Sequence, residues 1–288
     1  HDWAKEGDIL QLLHYIEKGG DVNYGNILGR TPLMLAVINR HNTLVEKLIS
    51  CSDINRQNKN KNTALMYAAE YNNVVAAKLL LSSNADCDLR DRMGETALIL
   101  AARNNAFAVV QLLVRYGADI TVKSCLSMTA LDYPQSDKNK VIIPFLKKAL
   151  AIDCLFNQYV VAFEKALVEK LTYAHLLTKT KNNPKNFLAT LSDEILEQIY
   201  YLISFSYVPI PSQLDKMLYH ASKTNSTTQL IANAMDGLKP LLVDKVLHEV
   251  AEKSLACEET YPLDLIQQRC EALIAKRYRD KSLSLALA

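Results

Sequence analysis

The sequence predicts an all-α fold in two parts. Residues 1–149 read as a solenoid of stacked helix pairs with short β-hairpin fingers, and residues 150–288 as an all-helical domain. Two observations carry this. A block opening Thr-Pro-Leu or Thr-Ala-Leu recurs at Thr31, Thr63 and Thr96, with a worn copy at Thr129, in steps of 32, 33 and 33 residues. A fixed period of that length marks stacked supersecondary units, none of which can bury its apolar face alone. Beyond 150 the period is lost. Apolar residues still recur at three and four, as at Leu241, Leu242, Val246, Leu247 and Val250, and nothing alternates as a strand would.

Taken in order, Trp3-Ala4-Lys5-Glu6-Gly7-Asp8 matches the end of a first helix, so the chain is expected to begin inside a unit, with a partial copy at 2–23. Each of three full copies starts at a Thr able to accept an amide hydrogen bond at a helix N-terminus. Pro32 fits the first turn, where no donor is needed. The pairs Ala68-Ala69 and Ala101-Ala102 allow close backbone packing, and Leu79-Leu80 and Leu112-Leu113 fill the seam between helix layers. The units close on Gly20-Asp21-Val22-Asn23, Ser52-Asp53-Ile54-Asn55, Ala85-Asp86-Cys87-Asp88 and Ala118-Asp119-Ile120-Thr121, in the same phase. A degenerate last unit is expected at 122–149. Pro134 and the polar run 135–140 interrupt it, and Val141-Ile142-Ile143-Pro144-Phe145-Leu146 resumes a helix.

These columns resemble those of ankyrin-repeat proteins over residues 2–149. One copy is a residue short near Cys51-Ser52, and Asn72-Asn73 and Asn104-Asn105 fall where that family usually ends a helix with glycine. The resemblance implies a non-enzymatic scaffold or adaptor that binds a partner protein through its fingers and inner helix face. Carried onto this chain, the fingers lie at 24–30, 56–62, 89–95 and 122–128, with Arg30, Arg56, Lys59, Lys61, Arg90 and Arg92 on them. The inner-helix row is Asn39, Arg40, Tyr67, Glu70, Tyr71, Arg103 and Asn104. Arginine and tyrosine are common binding hot spots; the competing reading of any one of them is a solvated edge. The Lys-, Asn- and Leu-rich, glycine-poor style is similar to ankyrin effectors of intracellular bacteria. That implies a cytoplasmic protein, or one secreted into a host cell to act on host proteins.

Composition narrows the classes. Net charge is +2; residues 1–150 hold 18 Lys and Arg against 15 Asp and Glu, and the remainder 15 against 16. Neither half has the excess that generic phosphate binding needs, so no nucleic acid partner is expected. No apolar run approaches the length of a membrane span, and a monomer is expected. Seven of the eight glycines lie at or before Gly117. The second half therefore lacks the clustered glycines of phosphate and dinucleotide turns. The six cysteines, 51, 87, 125, 154, 257 and 270, form no CxxC pair and read as small core residues in a reducing compartment. No ligands show metal-binding spacing, so no metal, cofactor or catalytic residue is expected.

In the second half, helices are expected near 150–180, 190–206, 212–224, 226–236, 239–256 and 262–279, broken at Asn182-Asn183-Pro184, Val208-Pro209-Ile210-Pro211, between 237 and 240, and at Tyr261-Pro262. The domain is expected to cap the open end of the solenoid. His175, His220 and His248 accompany Cys154, Cys257 and Cys270 without a local thiol-protease motif, which favours buried cysteines and surface histidines over a nucleophile pair. An activity carried by this domain and targeted by the repeats is the alternative class. The stretch from Leu191 to Tyr200 resembles the opening of an F-box, with Ser192 where that family usually has proline. That would make Leu191, Ile195, Leu196 and Ile199 a second partner site, as in a ubiquitin-ligase adaptor. A plain N-capped amphipathic helix explains the same residues. Tyr200, Tyr201, Phe205 and Tyr207 beside the proline break read as core packing, with a partner groove as the alternative.

Overall fold

The computed structural model describes residues 2–133, 141–181, 240, 243–250 and 263–279. The chain divides into two compact units, residues 1–151 and 152–288.

The first unit is built from helix pairs: α1 (Asp2–Glu6) with α2 (Ile9–Glu17), α3 (Pro32–Ile38) with α4 (Asn42–Ile49), α5 (Ala64–Glu70) with α6 (Val74–Ser82), and α7 (Ala97–Arg103) with α8 (Phe107–Arg115). Helices α1, α3, α5 and α7 stack as an inner layer, and α4, α6 and α8 as an outer one. Each full inner helix has seven residues, and in each the first six are buried. Isolated helices need roughly 12–15 residues to hold in water, so these exist only because neighbours cover them on every side. Their starts are set locally. The hydroxyls of Thr31, Thr63 and Thr96 accept from the amides of Met34, Met66 and Ile99 at 3.4, 3.2 and 3.4 Å, and Pro32 occupies the first turn of α3.

Left-handed backbone recurs in three columns, although the unit of α3 and α4, a residue short near Cys51, has none after its outer helix. Arg40, Asn72 and Asn105 (φ 62°, 50° and 57°) end the inner helices, where the first unit has Gly7. Asn84, at φ 64°, follows the outer helix α6, where other units have Gly19 and Gly117. Lys61 and Ser127 (φ 61° and 60°) close fingers in which Gly29 and Gly94 do the same. Asparagine tolerates this region through local hydrogen bonding; arginine and lysine do not, at a cost of roughly 1–2 kcal/mol.

The expected β-hairpin fingers are not there. Among the described residues there is no strand. Each finger is a tight loop closed by a pair of hydrogen bonds: Asn26 N–H to Arg30 O and Gly29 N–H to Asn26 O, then Asn58 to Asn62 and Lys61 to Asn58, then Asp91 to Glu95 and Gly94 to Asp91. The fourth finger, opened by Ser124, closes through the same pair, Ser124 N–H to Met128 O and Ser127 N–H to Ser124 O. In the first three the physical reason is the Asn or Asp that opens the loop. Its side-chain oxygen accepts from the amides two and four residues on: Leu28 and Arg30 on Asn26, Asn60 and Asn62 on Asn58, Met93 and Glu95 on Asp91. Amides spent on a side chain cannot extend a ladder. Neighbouring fingers share one backbone bond at each junction: Lys59 N–H to Leu28 O, Arg92 N–H to Asn60 O, Cys125 N–H to Met93 O.

A second Asn/Asp ladder ties the units at their other turns. Asn23 Oδ1 accepts from Asp53 N–H, Asn55 Oδ1 from Asp86 N–H and Asp88 Oδ1 from Asp119 N–H, at 2.7–2.9 Å. Thr121 holds the next place and turns its hydroxyl back on Asp119 Oδ1. In the following unit the described residues 129–132 form a turn where the other units begin an inner helix. The Asp132 carboxylate takes both the amide and the hydroxyl of Thr129, folding 129–132 into a turn. These bonds hold the Asp132 carboxyl below the usual Asp range.

Helix α9 (Ile142–Lys181) runs 40 residues without the change expected near 150. No Gly or Pro interrupts it after Pro144, and Pro144 lies in the first turn, where amides have no helical partner. Within the first unit, Phe145 meets Phe107 edge to face, ring centroids 5.4 Å apart. In the second unit, Arg269 on α10 (Leu263–Arg279) is fully buried and bonds Asp153 of α9 in a two-point ion pair, with Nε to Oδ1 at 2.6 Å. Tyr159 donates to Glu249 in the helical stretch 243–250. The helices expected at 190–206, 212–224 and 226–236 lie outside the described residues.

Candidate functional site

Most of the predicted partner-binding residues meet at the C-terminal ends of the inner helices and on the adjoining fingers, and the structure sorts them by what their side chains already hold. Tyr67 is 2% exposed. It occupies the column filled by Leu35 and Leu100 in the neighbouring inner helices. Its buried hydroxyl accepts from Asn58 Nδ2 at 2.8 Å and from Arg30 Nε at 3.0 Å, while the Arg30 guanidinium lies 5.2 Å from the ring centre. Tyr67 and Arg30 thus join two fingers to the inner layer. The column comparison was the signal that could have placed Tyr67 inside.

Arg103 pairs with Glu95 through both carboxylate oxygens, at 2.9 and 2.6 Å. Glu95 is buried and also accepts from Tyr133 Oη at 2.5 Å. Burial, and the hydrogen bond and negative charge of Glu95, push the Tyr133 hydroxyl above its ordinary value. Arg40 reaches one unit on and donates to the carbonyls of Tyr71 and Asn72, at 2.5 and 3.5 Å. A cation there complements the C-terminal end of α5. Asn39 and Asn104 cap their own helices, donating to Leu35 O and Leu100 O at 2.8 and 2.9 Å.

Tyr71 shares the column of Asn39 and Asn104 but has no amide to spend on a helix carbonyl. Its ring stands 41% exposed with its centroid 6.4 Å from that of Tyr67. Glu70 is exposed beside it, and Lys61, Arg90 and Arg92 are exposed on the fingers. The second predicted site, Leu191, Ile195, Leu196 and Ile199, lies outside the described residues, as does the aromatic cluster near Tyr200.

The cysteines divide. Cys87 and Cys270 are buried, but Cys51, Cys125 and Cys154 are exposed, against the expectation of core positions. Cys51 and Cys125 sit on loop turns, which stacking does not cover. Burial pushes the Cys270 thiol up to about 12, which leaves it protonated and unreactive near neutral pH. His248 is exposed, and Cys257 lies outside the described residues. Asp86, Cys87 and Asp88 bring three potential ligand atoms within 4.8 Å of one another. One oxygen of each carboxylate is engaged: Asp86 Oδ1 accepts from Asp88 N–H, and Asp88 Oδ1 from Asp119 N–H. The cluster is part of the inter-unit ladder.

A family model described as ankyrin repeats, in three copies, matches residues 1–91 and again 36–124. Residues 1–124 are therefore ankyrin repeats. This architecture generally lacks catalytic activity and is consistent with protein–protein interaction. No helix among the described residues is long and apolar enough to cross a membrane.

Proposed function

We propose that this protein is a scaffold or adaptor that holds a partner protein against the inner-helix ends and fingers of its repeats. The observation that carries the reading is Tyr71. It is a large aromatic ring held half out of the surface, with its backbone carbonyl fixed by Arg40 from the preceding unit. Around it, Arg30, Arg40 and Arg103 are locked by internal partners. The face is pre-organised, so binding orders few side chains, and an aromatic anchor on a rigid base is the usual form of a hot spot. Glu70 and Lys61 supply a polar rim, which sets association rate more than affinity.

The test is capture of a partner with the full chain, followed by titration. Tyr71→Ala is expected to weaken binding at least ~10-fold with an unchanged melting temperature. Lys61→Ala is expected to cost little at physiological salt. Binding that is indifferent to Tyr71→Ala would remove the inner face from the reading.

A further inference from the structure

On the finger edge of the repeat region positive charge outweighs negative. The four finger segments hold seven of the 18 Lys and Arg of residues 1–150 and only two of the 15 carboxylates, Asp91 and Glu95. Both carboxylates are engaged, Asp91 by its own turn and Glu95 by Arg103 and Tyr133. Arg56, Lys59, Lys61, Arg90 and Arg92 are exposed and pair with no carboxylate among the described residues. An apolar column runs among them. Leu28, Met93 and Leu126 hold the same place on the first, third and fourth fingers, all more than half exposed, with Ile27 at 86% beside Leu28. The backbone bond at each junction keeps the fingertips in register. Scattered exposed apolar residues need no explanation, but a column repeated in register does. Between the first two fingers opens a cleft of about 690 Å³ whose walls include Asp21, Tyr24, Ile27, Arg56, Gln57 and Lys59; the one carboxylate among them, Asp21, accepts from Asn23 N–H through Oδ1.

Resting on the reading of the repeats as a protein-binding module, we propose that the finger edge docks an extended acidic segment of a partner, carrying apolar side chains. One apolar side chain enters the cleft beside Tyr24 and Ile27, and its flanking carboxylates meet Arg56 and Lys59. The segment then follows Met93 and Leu126, with Arg90 and Arg92 alongside. An anionic lipid surface would also meet basic and apolar tips. The cleft favours a polypeptide, because a planar surface leaves a concave, partly polar-walled site unfilled.

The experiment uses the full chain and three probes: a fluorescent peptide alternating Glu and Leu, its Lys and Leu counterpart, and vesicles of phosphatidylcholine with phosphatidylserine. The acidic peptide alone is expected to bind, more weakly as salt rises. Arg56→Glu with Lys59→Glu is expected to lower that affinity at least ~10-fold, and Ile27→Ser to lower it at constant charge, both without change in melting. Absence of peptide binding, equal binding by the charge-reversed variant, or vesicle binding in its place would overturn the proposal. A captured partner lost on Tyr71→Ala but kept by the charge-reversed variant would overturn it too, while leaving the broader reading intact.

Discussion

Lys61 and Gly29 hold equivalent left-handed positions in neighbouring fingers, and the side chain alone separates them. Glycine adopts φ above zero without strain; lysine does not. Lys61→Gly is therefore expected to be stabilising by about 0.5–1 kcal/mol, less whatever the more flexible unfolded chain takes back. Gly29→Ala is expected to cost more than ~1 kcal/mol, because in addition to the strain its Cβ would lie 2.8 Å from the backbone nitrogen of Lys59. Urea midpoints of both variants check the pair. Tyr133 yields a pH prediction. Its hydroxyl titrates above the ordinary value of 10 when folded, chiefly through burial and then through Glu95. The stability it contributes is complete below about pH 10 and is lost as pH rises toward the folded value. Stability of the parent should fall more steeply than that of Tyr133→Phe above pH ~10. Parallel curves would remove Tyr133 from the account.

At the scale of elements, the connections carry the specificity that seven-residue helices lack. The inner helices present interchangeable apolar blocks, so register between units rests on directional bonds: the finger junctions, the Asn/Asp ladder, and side chains reaching back one unit. Asn73 Nδ2 donates to Val37 O at 3.1 Å, and His41 Nε2 meets Lys5 O at 2.6 Å. Ala106 holds the same column and makes no such bond. Asp88→Ala should cost about 1–2 kcal/mol, since it deprives the Asp119 amide of its acceptor. Asp88→Asn keeps the acceptor and should cost less than half as much. Denaturant titration of the two variants distinguishes loss of this bond from loss of the charge; equal costs would favour charge.

For the molecule as a whole, the end of the repeats is where their periodic bonding stops. Thr121 stops the ladder, residues 129–132 turn instead of forming an inner helix, and Phe145, Leu146 and Ala149 on the first turns of α9 are buried. A chain cut at 149 keeps eight residues of a 40-residue helix, too few to hold without neighbours. Such a fragment is expected to melt well below the full chain and to self-associate through Phe107 and Phe145. Calorimetry and size-exclusion chromatography check it. Equal melting and clean monomer would show that residues 150–288 do not protect that end.

By itself the sequence determined the period, the helix starts at Thr31, Thr63 and Thr96, and the buried alanine pairs. These are local or repetitive: a cap needs only its own turn, and a column declares itself by recurring. The candidate residues it named lie at the inner-helix ends and on the fingers. What only the tertiary structure decided is which of them remain open to a partner. Tyr67 and Tyr71 lie one helical turn apart and read alike, yet one is sealed by Arg30 and Asn58 and the other is exposed. Likewise Arg40 and Arg103 are held by groups 31 and eight residues away, whereas Arg90 and Arg92 carry no such tie. The fingers follow the same logic. Turn residues were legible, but a strand needs amides free for a neighbour, and here Asn26, Asn58 and Asp91 had already taken them.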